Sequence, residues 1–587
     1  NFGQFKSDKA TLIPESSTTT ESSFYDAKTG VVAFKATVND PDNDQIKLQV
    51  ELKEFNQPFN GQNLLESNLA VSGSEITIAR PFLFEQRYHW RARAIDDKGN
   101  ISPWQEFGTP GNVDFIVKLV PLYTQVESDY PSATSTKSWS SKPYANGIAS
   151  TTCGLTIGQC GCVITSEVML MRFYGITTDA DGNDVNPLVY NAWLTSYDGY
   201  SSAGDINWEK IMDYTKDQFG VPRLFYAGPI KYKDTTYLDG QLAGLSPTIL
   251  YTKVLNAKNQ LVDHFILADG KLSATYTIKD PVYYNTRYLN QTASSSAYDY
   301  DNNFLGLRVF TNVAVLPDSI SATLASPGEL LFTDPQGRRL GKDPIAGISY
   351  SEIPNGVYYQ EGIGNPLGNA ALPTEGSKRI WIPDPTDGQY DIKVIGTGSG
   401  LYHLDILAYD NNAQSKYITQ TGNILPDVIQ DFELNYSTSS AEQTKFQRIV
   451  NIDIKPSSDP NSINCKNQKE LIPVAILSTN IFDAATVDPD TVRFGPNGAQ
   501  EFHRDKNGKA KKHPEDVNND GKPDLVLHFQ FSDTGIKCND TQTTLTGKTY
   551  DAFDIIGSDS IRTVQNGKQL FVAKLLAIIY GALSSIF

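Results

Sequence analysis

Turn residues interrupt this chain from end to end. Its 587 residues include 44 Gly and 31 Pro, and the runs between them are short and rich in Tyr, Thr and Val. Those side chains suit a pleated, half-buried surface, while Gly and Pro set the turns between strands. Three Met in the whole chain leave little room for long Leu/Met-rich helices. A chain of this length accommodates three to five domains at about 100–200 residues each. Hydrophobic residues are 39% and charged residues 20%, a globular composition. The net charge of −17 argues against a general nucleic-acid binder, which needs a basic surface to release counterions. It suits a protein that binds calcium.

Local pattern divides the chain. Residues 1–118 read as a β-sandwich. The run Tyr88-His89-Trp90-Arg91-Ala92-Arg93-Ala94 alternates, with Tyr88, Trp90, Ala92 and Ala94 on one face and both arginines on the other. With the turn and Trp104 that follow, it resembles the last strands of a fibronectin type III or immunoglobulin-like module. Residues 119–318 differ, with crowded cysteines, one helix-like run and mixed α/β patterning. Residues 319–440 return to β patterning, and Ser437–Glu442 reads as a linker. Residues 449–564 form a further β-rich accessory module, resembling a repeated module of exported bacterial proteins. The tail, 565–587, is apolar, but its uncharged run Leu575–Phe587 is 13 residues, whereas a membrane-spanning helix needs about 20. No transmembrane span is expected. No apolar targeting run follows Asn1, so the expectation of export rests on other features.

The chemistry concentrates in Thr156-Ile157-Gly158-Gln159-Cys160-Gly161-Cys162, followed by Val163-Ile164-Thr165-Ser166 and an apolar run to Tyr174-Gly175. A Gly-containing turn delivers Cys162 to the start of a helix that Gly175 stops. A thiol there faces the positive end of the helix dipole, which favours the reactive thiolate. Such a nucleophile needs a base. Between 119 and 318 the one histidine is His264, on a strand-like run from Leu261 to Ala268. Sixteen residues on, Tyr276-Thr277-Ile278-Lys279 ends at Asp280-Pro281. Asp280 would accept the ring N–H of His264 and hold its tautomer.

These segments resemble the C-39-like cysteine peptidases, relatives of the bacteriocin-leader peptidases with a papain-like fold. The likeness rests on Cys162, Thr165, Ser166, Met169, Tyr174, Gly175, His264, Phe265, Gly270, Asp280 and Pro281, and covers roughly a third of the chain. It implies an α+β papain-like domain over 119–318, flanked by all-β sandwich modules. Cys162 would be the nucleophile, His264 the general base and acid, and Asp280 the orienting group. The family's spacing of four residues from Cys to the helix Ser selects Cys162 over Cys160. Cys153 with Cys160, and Cys465 with Cys538, would then pair and leave Cys162 free. The family also places an oxyanion-donating Gln upstream. Gln125 fits that role, with Trp139 and Tyr144 in the insertion after it, and Gln159 is the alternative.

Two other chemistries are weighed on the residues. Cys160 and Cys162 could act as a redox or metal pair, although one nearby His makes poor zinc spacing. The loop Asp516-Val517-Asn518-Asn519-Asp520-Gly521-Lys522-Pro523-Asp524 has oxygen donors at positions 1, 3, 5 and 9 and Gly at 6, as in the first part of an EF-hand loop. Asp516, Asn518, Asp520 and Asp524 would hold a structural calcium, and Asp40, Asp42 and Asp44 offer a weaker second site. No organic cofactor is expected. The sequence reading is therefore a secreted or surface-exposed bacterial cysteine peptidase acting on peptide or protein substrates, with β modules available for cell-surface or glycan attachment. Its alternatives are a binding or adhesion protein with an inactive peptidase-like domain, and acyl transfer on the same residues. Substrate and oligomeric state are not legible.

Overall fold

A computed structural model describes residues 11–12, 29–40, 42–84, 87–116, 120–126, 139–145, 153–256, 258–272, 275–283, 286, 288–290, 300, 304–315, 317–325, 327–366, 368 and 376–564. The apolar tail 565–587 lies outside them. The chain forms two compact units, Asn1–Val315 with Glu361–Gly376, and Leu316–Gln360 with Ser377–Phe587. Most of its elements are strands, in several separate sheets.

In the first unit, the strands Thr29–Thr37 and Glu75–Phe84 pair in one sheet, and Ile46–Glu54 pairs with Arg87–Asp96 in another. Phe34, Leu48, Val50, Ile78, Tyr88 and Trp90 form a core between them. Alternation along Arg87–Asp96 buries Tyr88, Trp90, Ala92 and Ala94 and leaves Arg91 and Arg93 half-buried. There the guanidinium groups of both arginines stack on Trp104, at 4.5 and 4.2 Å from the ring centroid.

The same unit holds the helices and a five-stranded antiparallel sheet. Its strands run in the order Thr275–Lys279, Leu261–Leu272, Thr248–Leu255, Phe304–Thr311, Phe225–Ile230. The 12-residue helix Cys162–Phe173 packs on the Leu261–Leu272 strand. Eleven of its residues are buried, including Thr165, Ser166 and Glu167. An all-round buried helix of this kind is a core element, which its apolar sequence favours. The excursion Glu361–Gly376 returns to the same sheet, where the Gly364 N–H donates to the Asp263 carbonyl at 3.0 Å. A Cβ on Gly364 would stand 2.5 Å from that of Val262, so only glycine permits this approach.

Among its described residues the second unit is all β apart from short helical turns. Nine strands form one sheet that runs from the 319–440 region into the 449–564 region. The joint is the strand Lys445–Ile449, antiparallel to Ile429–Tyr436 on one side and parallel to Asp554–Ser560 on the other. Ser437–Glu442, linker-like in sequence, is instead held in place. The Ala441 N–H donates to Asp410 at 3.0 Å, and Ala441 is buried. A four-stranded sheet, ordered Ile452–Ile454, Leu471–Ile476, Asp524–Gln530, His513–Glu515, completes the C-terminal region. Among the described residues no helix is long and apolar enough to cross a membrane.

Candidate active site

Two helical segments lie end to end around the cysteines. Thr156 caps the short turn Ile157–Cys160, and Gln159 completes a capping box with it. The helix Cys162–Phe173 follows at once, with Gly161 as its N-cap and Cys162 as its first residue. A Cβ on Gly161 would meet the Ile157 carbonyl oxygen at 2.5 Å, so the junction requires glycine. Tyr174 closes the helix and Gly175 turns the chain away at φ +77°. Cys153 is bonded to Cys160, and Cys465 to Cys538. Cys162 is the free cysteine, and it is buried. The disulfide removes Cys160 from the redox or metal pair with Cys162 considered from the sequence.

His264 reaches the site from the Leu261–Leu272 strand. The next strand pairs with it in the register Leu267↔Lys279, which carries Asp280 back toward His264. The His264 Nε2 lies 3.0 Å from Asp280 Oδ1, with both side chains fully buried. Asp280 is strongly fixed. Its Oδ1 also accepts the N–H groups of Val282 and Tyr283 at 2.8 and 2.9 Å, and its Oδ2 accepts the Tyr300 hydroxyl. The helix is tied to the same strand, since the Ser166 hydroxyl donates to the Phe265 carbonyl at 3.4 Å.

Electrostatics couple the three groups. Burial pushes the His264 pKa down, but the charge and hydrogen bond of Asp280, together with Cys162 beside it, outweigh burial and raise it. For Asp280, burial acts upward and the imidazolium, Tyr300 and the Tyr283 N–H prevail, so its pKa is lowered. With Nε2 engaged by Asp280, the buried Nδ1 is the ring nitrogen left to interact with Cys162.

Gln125 and Gln159 occupy different situations. The Gln159 side-chain oxygen accepts the N–H groups of Leu155 and Thr156 at 2.8 and 3.2 Å, in the capping box. Gln125 is fully buried between the two chemical segments. Its N–H donates to the Pro281 carbonyl at 2.8 Å, and its Nε2 donates to the Gly158 carbonyl at 3.0 Å. Trp139 donates its ring N–H to the carbonyl of Thr124, next to Gln125, at 2.9 Å. Tyr144 is buried against Tyr200.

Glu167 lies on the same helix and is fully buried. Burial pushes its pKa well above the carboxylate range, a hydroxyl from Tyr190 opposes this, and the charge of Glu209 adds to it. The folded protein therefore favours the neutral form of Glu167, whereas the unfolded chain ionises it once the pH exceeds about 4.3. Its contribution to stability is fully present below that pH and falls as the pH rises toward its raised folded value. Glu167→Gln is expected to melt higher than the parent at pH 8 and to show a smaller loss between pH 5 and pH 8. Calorimetry at the two pH values checks this, and parallel losses in both proteins would refute it.

The calcium-type loop is arranged differently from the triad. Asp516 accepts the N–H groups of Asp520 and Gly521 at 3.1 and 3.0 Å, and Asn518 accepts that of Asp520 at 3.0 Å. The Asp520 carboxylate accepts the Lys522 N–H at 2.9 Å. Asp524 is buried and accepts the N–H groups of Ser478 and Val517. Asp40, Asp42 and Asp44 each offer a carboxylate oxygen within 4.8 Å of the others, close enough to hold a metal.

Two features have no clear signal in the sequence. Tyr300 comes from a Ser/Ala/Tyr-rich stretch without periodicity. Glu361 forms a buried ion pair with Arg308 and accepts the Trp208 ring N–H at 2.8 Å. A third, three of the six histidines falling between 503 and 528, shows in the sequence only as a local enrichment.

No family model matches this chain, and no curated protein does. Among solved structures, one described as structural insight into host cell surface retention of a 1.5-MDa bacterial ice-binding adhesin aligns at 9% identity. It covers 92% of this chain and 92% of that one, with a TM-score of 0.14. A second, a Ca²⁺-stabilised adhesin that helps an Antarctic bacterium reach out and bind ice, aligns at 10% identity. It covers 92% and 94% of the two chains, with a TM-score of 0.13. Scores this low establish no shared fold.

Proposed function

We propose that residues 119–318 form a papain-like cysteine peptidase domain of the C-39-like type, carried by an exported multidomain protein. The observation that supports this most is the free thiol of Cys162 at a helix start beside a buried, hydrogen-bonded His264–Asp280 pair. In this reading Cys162 passes its proton to His264 Nδ1, and the thiolate attacks a peptide carbonyl. The oxyanion is held by the Cys162 N–H and by Gln125, whose amide would turn from Gly158 to donate to it. His264 then protonates the leaving amine, a water attacks the thioester with His264 as base, and the thiol is restored. Asp280 keeps Nδ1 turned to the sulfur. Two disulfides in one chain support an oxidising, extracellular setting. Calcium at Asp40, Asp42 and Asp44 or at the 516–524 loop belongs to the same proposal, as does attachment through the β modules.

A second reading, a binding or adhesion protein with an inactive peptidase-like domain, is favoured by one observation. Cys162, His264 and Asp280 are all at 0% exposure. Alkylation separates the two. With iodoacetamide at pH 7 and peptide mapping, the peptidase reading expects rapid labelling of Cys162 that falls in His264→Ala. A folded protein that leaves Cys162 unlabelled would decide for the inactive domain.

A further inference from the structure

The loop that carries Glu501 and His503, with the strands His513–Glu515 and Asp524–Gln530, brings three imidazoles and one carboxylate together. Glu501, His503, His513 and His528 each offer one ligand atom, and these atoms all lie within 4.8 Å of one another. The three rings meet edge to face, with centroids 5.2, 4.8 and 5.1 Å apart and planes inclined at 74°, 73° and 86°. His513 Nε2 and His528 Nδ1 are buried with no hydrogen-bond partner among the described residues, and the buried His503 Nδ1 faces Glu501 Oε1 at 3.1 Å. Buried imidazole nitrogens ordinarily find a partner.

The backbone fixes this arrangement. His513 begins the strand His513–Glu515 in the register His513↔Val526 with Asp524–Gln530, so His513 and His528 lie two residues apart on one sheet face. The hairpin through Asp505–Lys509 returns the chain, with the Lys511 N–H donating to the His503 carbonyl at 3.0 Å. The Phe502 N–H donates to the His528 carbonyl at 2.8 Å, which clamps the loop onto the strand. Glu501 is buried, and its two oxygens accept the N–H groups of His503 and His528.

We propose that His503, His513 and His528, with Glu501, form a binding site for a zinc-class divalent transition-metal ion. Three imidazoles and a carboxylate suit zinc at about 2.0–2.1 Å per bond, whereas calcium and magnesium take oxygen ligands. At such bond lengths tetrahedral ligands stand about 3.3 Å apart. The Glu501 Oε1 to His503 Nδ1 separation, 3.1 Å, already meets this. A protonated His503 paired with Glu501 would account for that contact alone. It leaves the nitrogens of His513 and His528 unexplained, whereas one ion engages all of them. Bound there, the ion ties the Glu501–His513 loop to the sheet.

The test uses the full chain without an affinity tag, stripped with chelator and titrated with zinc, and with cobalt as a visible reporter. The expected result is one zinc per chain, unaffected by excess calcium, with the d–d bands of four-coordinate cobalt. His528→Gln and, separately, His503→Gln should weaken binding beyond the about 10–100-fold of an outer-ligand change. His503→Gln alters a loop residue and keeps the test valid if the strand variant fails to fold. Cys162→Ala should bind as the parent does, which separates this site from the cysteine site. No zinc retained by the folded parent, or unchanged affinity in His503→Gln, would overturn the proposal.

Discussion

In the proposed peptidase, His264→Ala is expected to lower peptide hydrolysis by about 10²–10⁴-fold, the range for losing a positioned general base. Cys162→Ala should abolish it. Tyr300→Phe tests a finer point. Tyr300 donates its hydroxyl to Asp280 Oδ2 and acts through it, so it is a positioning residue. Loss of its hydroxyl removes one donor from a buried carboxylate, at a cost of about 1–3 kcal/mol. Asp280 keeps His264 and the two main-chain N–H groups. The pH profile gives the diagnostic readout. The folding contribution of Asp280, whose pKa is lowered, is present above about pH 3.9 and lost as the pH falls through its folded value. That of His264, whose pKa is raised, is present below about pH 6.5 and lost as the pH rises through its folded value. The pair is therefore held between the lowered value of Asp280 and the raised value of His264. Tyr300→Phe should move the acid limb upward while the alkaline limb moves less. An unshifted acid limb would deny Tyr300 its positioning role.

The largest stability effect is expected at the buried Arg308–Glu361 pair. Arg308 Nε donates to Glu361 at 3.0 Å, and the two side chains are 1% and 3% exposed. The guanidinium also sits 5.4 Å from the centroid of Tyr251 and 5.9 Å from that of Phe265. Glu361→Ala removes this carboxylate partner from a buried guanidinium, which costs about 3–5 kcal/mol. The double replacement Arg308→Met with Glu361→Leu removes both charges and should recover most of the loss, because desolvation offsets much of what a buried pair contributes. Urea unfolding of the three proteins measures the effect. A single variant within about 1 kcal/mol of the parent would refute the assignment. Since Phe265 follows His264, Glu361→Ala should also slow alkylation of Cys162.

The helix at Cys162 was legible because its start and stop are local. Gly161 and Gly175 bound an apolar run, and backbone sterics at both positions favour glycine. The alternation of Arg87–Asp96 was legible for the same reason, since a strand's two faces are written into neighbouring residues. His264 and Asp280 could be named from the sequence because each sits on a short β run ended by a turn. Their separation could not, because it depends on the register Leu267↔Lys279.

What the sequence determined by itself is the set of short-range choices: β-rich segments, one buried helix, a cysteine at its start and candidate partners for it. Tertiary structure alone decided which distant residues meet. It brought Tyr300 to Asp280, Glu361 to Arg308, and His503 and His513 to His528. It also carried one sheet across the segment that reads as a linker. The physical reason is common to all four. Local steric and turn preferences act over a few residues, whereas a buried charge, hydroxyl or imidazole finds its partner only once strand pairing has fixed which faces are shared.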